Sequence, residues 1–465
     1  MHPLLQQDLT ELDTLLKQTK ELSINFLNRL DAVPASSDYS IAETHTSNME
    51  GLGAMQTLQL FQQQYQPLMV SSGGPRYWGF VTGGTTPASI MGDWLASVYD
   101  QNTQALKGQG DISAQIEKET LQLLLQLFNL PHAYTGGFVT GATMSNFTCL
   151  ATARQWMGKQ QGNDIAKDGI TQPIKVFSAT PHSSAIKSMA MLGMGSRQFV
   201  KIKTMPGNRE AMDMDDVKKQ LADLNGEPCI LISSAGTVNT VDYDDFTAIA
   251  ALRKKYSFWW HIDAAFGGFV ACSPLYAHLV KDWEDADSIT IDCHKWLNVP
   301  YDSAVFFIKE KHRLLQLETF QNSNAPYLGN PMENFSYLNF LPENSRRLRA
   351  LPAWFTLKAY GKEGYRAVVE NSVAMAQRLG NFIEQHPALA LLAPVRLNTV
   401  CFALAHAADG ETETFLHHLN SSGKIFMTLT VYNSRKGIRA AFVNWRTTAA
   451  DVDAAIDLIN LVLNK

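Results

Sequence analysis

Short apolar runs separated by longer amphipathic stretches dominate the middle of the chain. Residues 174–178, 199–202, 229–233, 258–262, 288–291 and 304–308 are brief and rich in β-branched and aromatic side chains. Each reads as a strand. Helical periodicity covers 116–128 and 145–159 and fills most of the later gaps, the pattern of a largely parallel sheet covered on both faces. Ligands in such sheets bind beyond the carboxyl ends of the strands. At the start of the chain, Leu5, Leu9, Leu12 and Leu16 recur at helical spacing, and Phe26, Leu27 and Leu30 continue an apolar face. That stretch is either an ordinary core helix or an arm that packs on a second subunit. Residues 31–47 read as a polar loop, and the Gly-Gly pairs at 73–74, 83–84 and 136–137 read as turns. After residue 349 the pattern changes to a long helix at 352–385, strands at 399–404, 426–432 and 438–443, and a closing helix at 449–463. The expected division is an N-terminal helical segment or arm (1–90), a large α/β domain (91–348) and a small C-terminal α+β domain (349–465).

Composition narrows the function class. A chain of 465 residues exceeds one small core, and 45% apolar with 18% charged residues is ordinary globular usage. A net charge of −5 without a long basic run argues against nucleic acid as a partner. No run of about 18 uninterrupted apolar residues predicts a membrane helix, and residues 1–10 lack the pattern of a secretory signal. The five cysteines are widely spaced without a CxxC pair, so they are expected to be reduced thiols of a cytoplasmic protein.

The candidate chemistry lies at two strand ends. The run 258–262 delivers Asp263 within His261-Ile262-Asp263-Ala264-Ala265-Phe266-Gly267-Gly268, and the run 288–291 leads to Asp292-Cys293-His294-Lys295-Trp296. An acid and an amine at neighbouring strand tips suit pyridoxal phosphate: the lysine forms a Schiff base with the aldehyde and the acid keeps the ring nitrogen protonated. The bland alternative is a helix-capping aspartate and a solvated lysine. Small residues at Ala264, Ala265, Gly267 and Gly268 favour the first reading, since a flat ring could lie close to the backbone. The Gly-rich stretch 136–146 leads directly into a helix, whose first N–H groups, with the Thr143 and Ser145 hydroxyls, suit a phosphate. Plain helix capping is the alternative there. His182, after the run 174–178, could lie over a pyridine ring or be a solvated loop residue. Thr237 could bond the ring oxygen or shape a turn. A metal pair at His261 and Asp263 lacks further ligands, so no metal is expected.

These segments resemble the group II pyridoxal-phosphate-dependent amino-acid decarboxylases, which include aromatic-L-amino-acid, glutamate and cysteine-sulfinate decarboxylases. HIDAAFGG, DCHKW, TPHSS at 180–184 and GATMSN at 141–146 are the anchors, and the resemblance runs from about Pro75 onward. Ser345-Arg346-Arg347 and Asn444-Trp445-Arg446-Thr447-Thr448 resemble further family segments, with Trp445 in place of proline. The resemblance implies an α/β chain of fold type I (aspartate-aminotransferase-like), with a large, mostly parallel seven-stranded sheet domain and a smaller C-terminal α+β domain. It implies that Lys295 carries pyridoxal 5'-phosphate, that Asp263 pairs with its ring nitrogen, and that His182 and Ala265 flank its faces. Ala142, Thr143, Met144, Ser145 and His294 would surround the phosphate, with Thr237 near the ring hydroxyl. It further implies substrate contacts from Arg439, Arg446 and Phe80, and a catalytic tyrosine on a loop at about 321–344, where Tyr337 has the family spacing before Arg346 and Tyr327 competes. The expected reaction removes the α-carboxylate of an L-amino acid as CO₂ to leave the amine, in a cytoplasmic homodimer with shared active sites. A carbon–carbon aldehyde lyase or an aminotransferase on the same fold is the alternative, and a cofactor-binding regulator without turnover is a third.

Overall fold

The structure is a computed structural model, and it describes residues 1–37, 49–106, 111–321 and 332–464. Seven strands form the large sheet: β1 (Tyr134–Val139), β2 (Val176–Ser178), β3 (Phe199–Lys201), β4 (Cys229–Ser234), β5 (Phe258–Asp263), β6 (Ser288–Ile291) and β7 (Ala304–Lys309). Their order is β1-β7-β6-β5-β4-β2-β3. β7 runs antiparallel to both neighbours and the other pairs are parallel. β4, β5 and β6 are buried along their whole lengths. Side-chain alternation then sorts β5: Phe258, Trp260 and Ile262 join the core on one face, whereas Trp259 joins the core on the other. His261 and Asp263 share the Trp259 face, against which the helix Ala142–Gln160 packs.

β1 corrects one expectation. Gly136 and Gly137 are not a turn but lie inside a strand paired with Phe307 and Phe306. A Cβ at Gly136 would come within 2.3 Å of the Phe306 carbonyl oxygen, so the strand requires glycine there. The outer edge of β1 is closed by a buried ion pair. Glu117 accepts the Phe138 N–H at 2.8 Å, while Arg346 bonds Glu117 and donates to the Phe138 carbonyl, each at 2.7 Å.

The smaller sheet is antiparallel throughout. It comprises β8 (Leu389–Leu391), β9 (Thr399–Leu404), β10 (Thr428–Tyr432) and β11 (Arg435–Ala441), in the order β10-β11-β9-β8. The helices Ala350–Gln385, Glu411–Ser421 and Ala449–Leu463 contribute to its core. The first of these is kinked at Gly361, whose φ is 58°.

Residues 70–86 tie the sheets together. Trp78 enters the smaller core, its N–H bonded to Phe426 and its carbonyl to the Ala441 N–H. Gly83 meets the carbonyls of His294 and Lys295 so closely that a Cβ would lie 1.7 Å from the Lys295 oxygen. Between them, Phe80 and Val81 take φ values of 54° and 59°. For a β-branched valine this is strained backbone, which persists only where the surroundings impose it. The helix Pro87–Tyr99 follows. By contrast, the helices Pro3–Thr10 and Leu12–Asn28 bury no residue, and Leu5, Leu9, Leu12 and Leu16 stay about half exposed. No helix among the described residues is long and apolar enough to cross a membrane.

Candidate active site

β1, β2, β4, β5 and β6 end on the same edge of the large sheet, where β7 begins. Asp263 closes β5 and is 8% exposed. Its Oδ2 accepts from Asn146 Nδ2 at 3.0 Å and its Oδ1 from the Ala265 N–H at 3.2 Å. Among the described residues no lysine, arginine or histidine forms an ion pair with it. A buried carboxylate without a cation carries a large desolvation cost.

Lys295 lies in the turn after β6. Its Nζ is 3.0 Å from Asp292 Oδ2 and 5.8 Å from the centre of the Phe266 ring. Asp292 also accepts the Ala142 N–H at 3.0 Å and lies 3.2 Å from His294 Nε2. Burial raises the Asp292 pKa, but Lys295 and His294 outweigh it and hold the acid below the ordinary carboxylate range. His294 Nδ1 accepts the Ser303 N–H at 3.2 Å, and its ring stacks on Tyr301 at 4.2 Å. The N–H groups of Thr143 and Met144 belong to the first turn of the helix Ala142–Gln160 and have no acceptor within it.

His182 caps the helix Ser183–Met191, with Nδ1 accepting from the Ser184 N–H. The residue is exposed by area. Protein nonetheless surrounds it closely enough that lost solvation lowers its pKa from the ordinary imidazole value; Asp263 opposes the fall and Lys295 and Arg439 add to it. Beneath it runs a buried polar series, Ser184, Asn146, His261 and Ser288. Burial pushes His261 down to about 4, and both its ring nitrogens are occupied by Ser288 and Asn146. Among the described residues no group of three His, Cys, Asp or Glu is gathered as for a metal ion. The five cysteines are buried free thiols.

Residues 54–405 match the family model described as the pyridoxal-dependent decarboxylase conserved domain. The chain belongs to the pyridoxal-dependent decarboxylase family. It is 26% identical to an aromatic-L-amino-acid decarboxylase of Bacillus atrophaeus, over 96% of this chain and 94% of that one. It is also 26% identical to an L-2,4-diaminobutyrate decarboxylase of Acinetobacter baumannii, over 80% and 75% of the two chains. Among solved structures, Oryza sativa TDC with PLP and tryptamine shares the fold at a TM-score of 0.88 and 22% identity, over 98% of both chains. Mouse CSAD does so at 0.87 and 19%, over 97% of this chain and 98% of its own. The protein is therefore a carboxy-lyase that uses pyridoxal 5'-phosphate to decarboxylate an amino acid, with the α/β fold of fold-type I enzymes.

The fold of this decarboxylase corrects several residue expectations. Tyr337 is 2% exposed, its ring 4.6 Å from the Arg346 guanidinium and beside Phe335. Burial drives its phenol far above the ordinary range, with Glu117 adding and Arg346 opposing, so Tyr337 is not positioned as the proton donor. Tyr327 lies outside the described residues. Ser145 is turned into the sheet, bonding Thr290 and Val305 at 2.9 and 3.0 Å, and not toward the helix start. Thr237 commits its hydroxyl proton to Glu210 at 2.6 Å and accepts the Asp242 N–H, so it has no proton left for a ring oxygen. Arg446 lies over the Trp445 ring at 4.5 Å, whereas Arg439 is a charge that acts on His182. Arg439 donates to the Val238 carbonyl at 3.3 Å, and its buried Nε has no partner among the described residues. Phe80 stands 5.7 Å from Phe426, on which Tyr77 stacks at 4.7 Å. Sequence reasoning missed Ser184 and Asp292 as partners of His182 and Lys295; the signal available for Asp292 was its place three residues before the lysine.

Proposed function

We propose that Lys295 holds the coenzyme aldehyde, Asp263 faces its ring nitrogen, and His182 and Ala265 flank the ring. The first-turn N–H groups of Thr143 and Met144, with His294, receive the phosphate, whereas the Ala142 N–H is held by Asp292. The uncompensated Asp263 carboxylate carries this reading. It is oriented by two N–H donors and lacks only the cation that a protonated ring nitrogen supplies. When bound, pyridoxal phosphate supplies the electron sink for the bond breaking at Cα. Arg439 supplies a half-satisfied guanidinium for a substrate carboxylate. With Tyr337 buried, His182 or Lys295 returns the proton.

The substrate in this reading is an L-amino acid with an aromatic side chain. Tyr301 stacks beside Lys295's neighbour His294, with Thr82 3.4 Å from its hydroxyl. Tyr77, Phe80 and Phe426 continue an aromatic wall. The similarity to a named aromatic-L-amino-acid decarboxylase supports the same choice. The exposed leucine row of the N-terminal helices supports a homodimer with shared sites, and the buried free thiols support a cytoplasmic location. The three-part division at 1–90, 91–348 and 349–465 belongs to this proposal, although the helix Pro87–Tyr99 runs across its first boundary. A screen of CO₂ release from the loaded enzyme tests the substrate. Tryptophan, tyrosine or phenylalanine is expected to lead; diaminobutyrate, glutamate or cysteine sulfinate leading would overturn the aromatic reading.

A further inference from the structure

A backbone N–H that can only donate and a carboxylate that accepts set the proton positions in the buried series beneath Asp263. The Ser184 backbone N–H reaches His182 Nδ1 at 3.2 Å, so that nitrogen bears no hydrogen. The Ser184 hydroxyl, 2.7 Å away, therefore donates to it as well. Ser184 Oγ then accepts from Asn146 Nδ2 at 3.0 Å, and the second hydrogen of Nδ2 goes to Asp263 Oδ2, also at 3.0 Å. Asn146 Oδ1 consequently faces a protonated His261 Nε2 at 2.9 Å. His261 Nδ1 accepts from the Ser288 hydroxyl at 2.9 Å, and Ser288 Oγ accepts the Trp259 indole N–H at 2.9 Å. An indole nitrogen has no acceptor capacity. The direction is set at the His182 end by a backbone N–H, which cannot reverse, and at Asn146 by the Asp263 carboxylate, which accepts. A flipped Asn146 amide would set its oxygen against a carboxylate and its N–H against an N–H.

We propose that Asn146 is a positioning residue for decarboxylation. One amide, fully buried, spends its two hydrogens on the two groups that flank the coenzyme ring. One hydrogen aims the Asp263 carboxylate. The other, through Ser184, fixes the His182 tautomer that presents Nε2–H to the cleft, so that neutral His182 gives or holds a proton and does not take one up at Nδ1. The charged groups acting on His182 are Asp263, Lys295, Arg439 and Asp292, with His261 behind Asn146. The proposal rests on the cofactor reading above.

The first arm of the test is nitrogen NMR of 15N-histidine-labelled protein free of cofactor, with His182 assigned by its loss in His182→Gln. At neutral pH, an unprotonated Nδ1 and a protonated Nε2 are expected for both His182 and His261. A protonated His182 Nδ1 overturns the proposal and leaves the cofactor reading intact. Wild-type protein that fails to bind pyridoxal phosphate sinks the cofactor reading and leaves the tautomer standing. In the second arm, loaded Asn146→Leu is expected to lose at least tenfold in kcat with KM within about twofold, and its His182 signals should report mixed tautomers. For Asn146→Asp, the coenzyme absorption band and turnover should recover as pH falls, because the introduced acid donates to Asp263 once protonated. Unchanged kcat in Asn146→Leu, or an Asn146→Asp pH profile parallel to wild type, contradicts the assignment. The wild-type NMR result stands even if a variant does not fold.

Discussion

Each residue of the site has a measurable signature. Replacing Lys295 by Ala should abolish the visible absorption band of bound pyridoxal phosphate, whereas a retained band would mean that another amine holds it. Replacing Asp263 by Ala should leave some cofactor bound but cut turnover roughly 100-fold or more, the usual cost of removing one preorganised electrostatic partner; full activity would refute its role. His261 gives a stability test. Its folded pKa is about 4 against 6.5 for an unperturbed imidazole, so the unfolded chain takes up a proton first as pH falls. The stabilisation is fully present above pH 6.5 and about 3 kcal/mol is lost between 6.5 and 4. Because burial raises Asp244 to about 7 and gives it an opposite slope in the same window, the signature is the difference between wild type and His261→Gln in denaturant titrations, which should carry this slope; parallel profiles would contradict it. At this scale the sequence was most legible in where a residue stands, as with Asp263 at the end of β5 and Lys295 in the turn after β6. It was least legible where a partner comes from another element: nothing near Tyr337 announced that Arg346 and Glu117 would bury it, nor that Ser145 would point at Thr290.

Among the elements, apolar runs bounded by polar residues gave β4, β5, β6 and β7 nearly to their ends, because burial on both faces demands continuous apolar sequence. β1 escaped because its adjacent glycines, which serve close packing against Phe306 and Phe307, look locally like a turn. β8, three residues long, carries too little pattern to stand out. The segment 70–86 shows the same limit. Its glycines read as punctuation, yet Gly83 is where two backbones meet. Gly83→Ala should push back the Lys295 turn, weakening pyridoxal phosphate binding about tenfold or more while the far-ultraviolet circular dichroism stays unchanged. Wild-type affinity in that variant would show that the contact does not govern the site.

For the molecule as a whole, the N-terminal helices carry a leucine row that stays about half exposed among the described residues. Exposed apolar patches of this kind mark interaction surfaces. Sedimentation of the full chain should give a dimer at micromolar concentration, and deletion of residues 1–30 should shift it toward monomer. A monomeric full-length chain would remove the shared-site part of the account. The overall architecture was legible because alternating strand and helix patterns leave few topologies, while a half-exposed leucine row carries no pattern that names what covers it. The central claim, that Lys295 holds the coenzyme above Asp263, is tested most directly by borohydride reduction of the loaded enzyme followed by peptide mass spectrometry. The expected result is a pyridoxyl group on the peptide containing Lys295 and on no other lysine; a stoichiometric label elsewhere would contradict it.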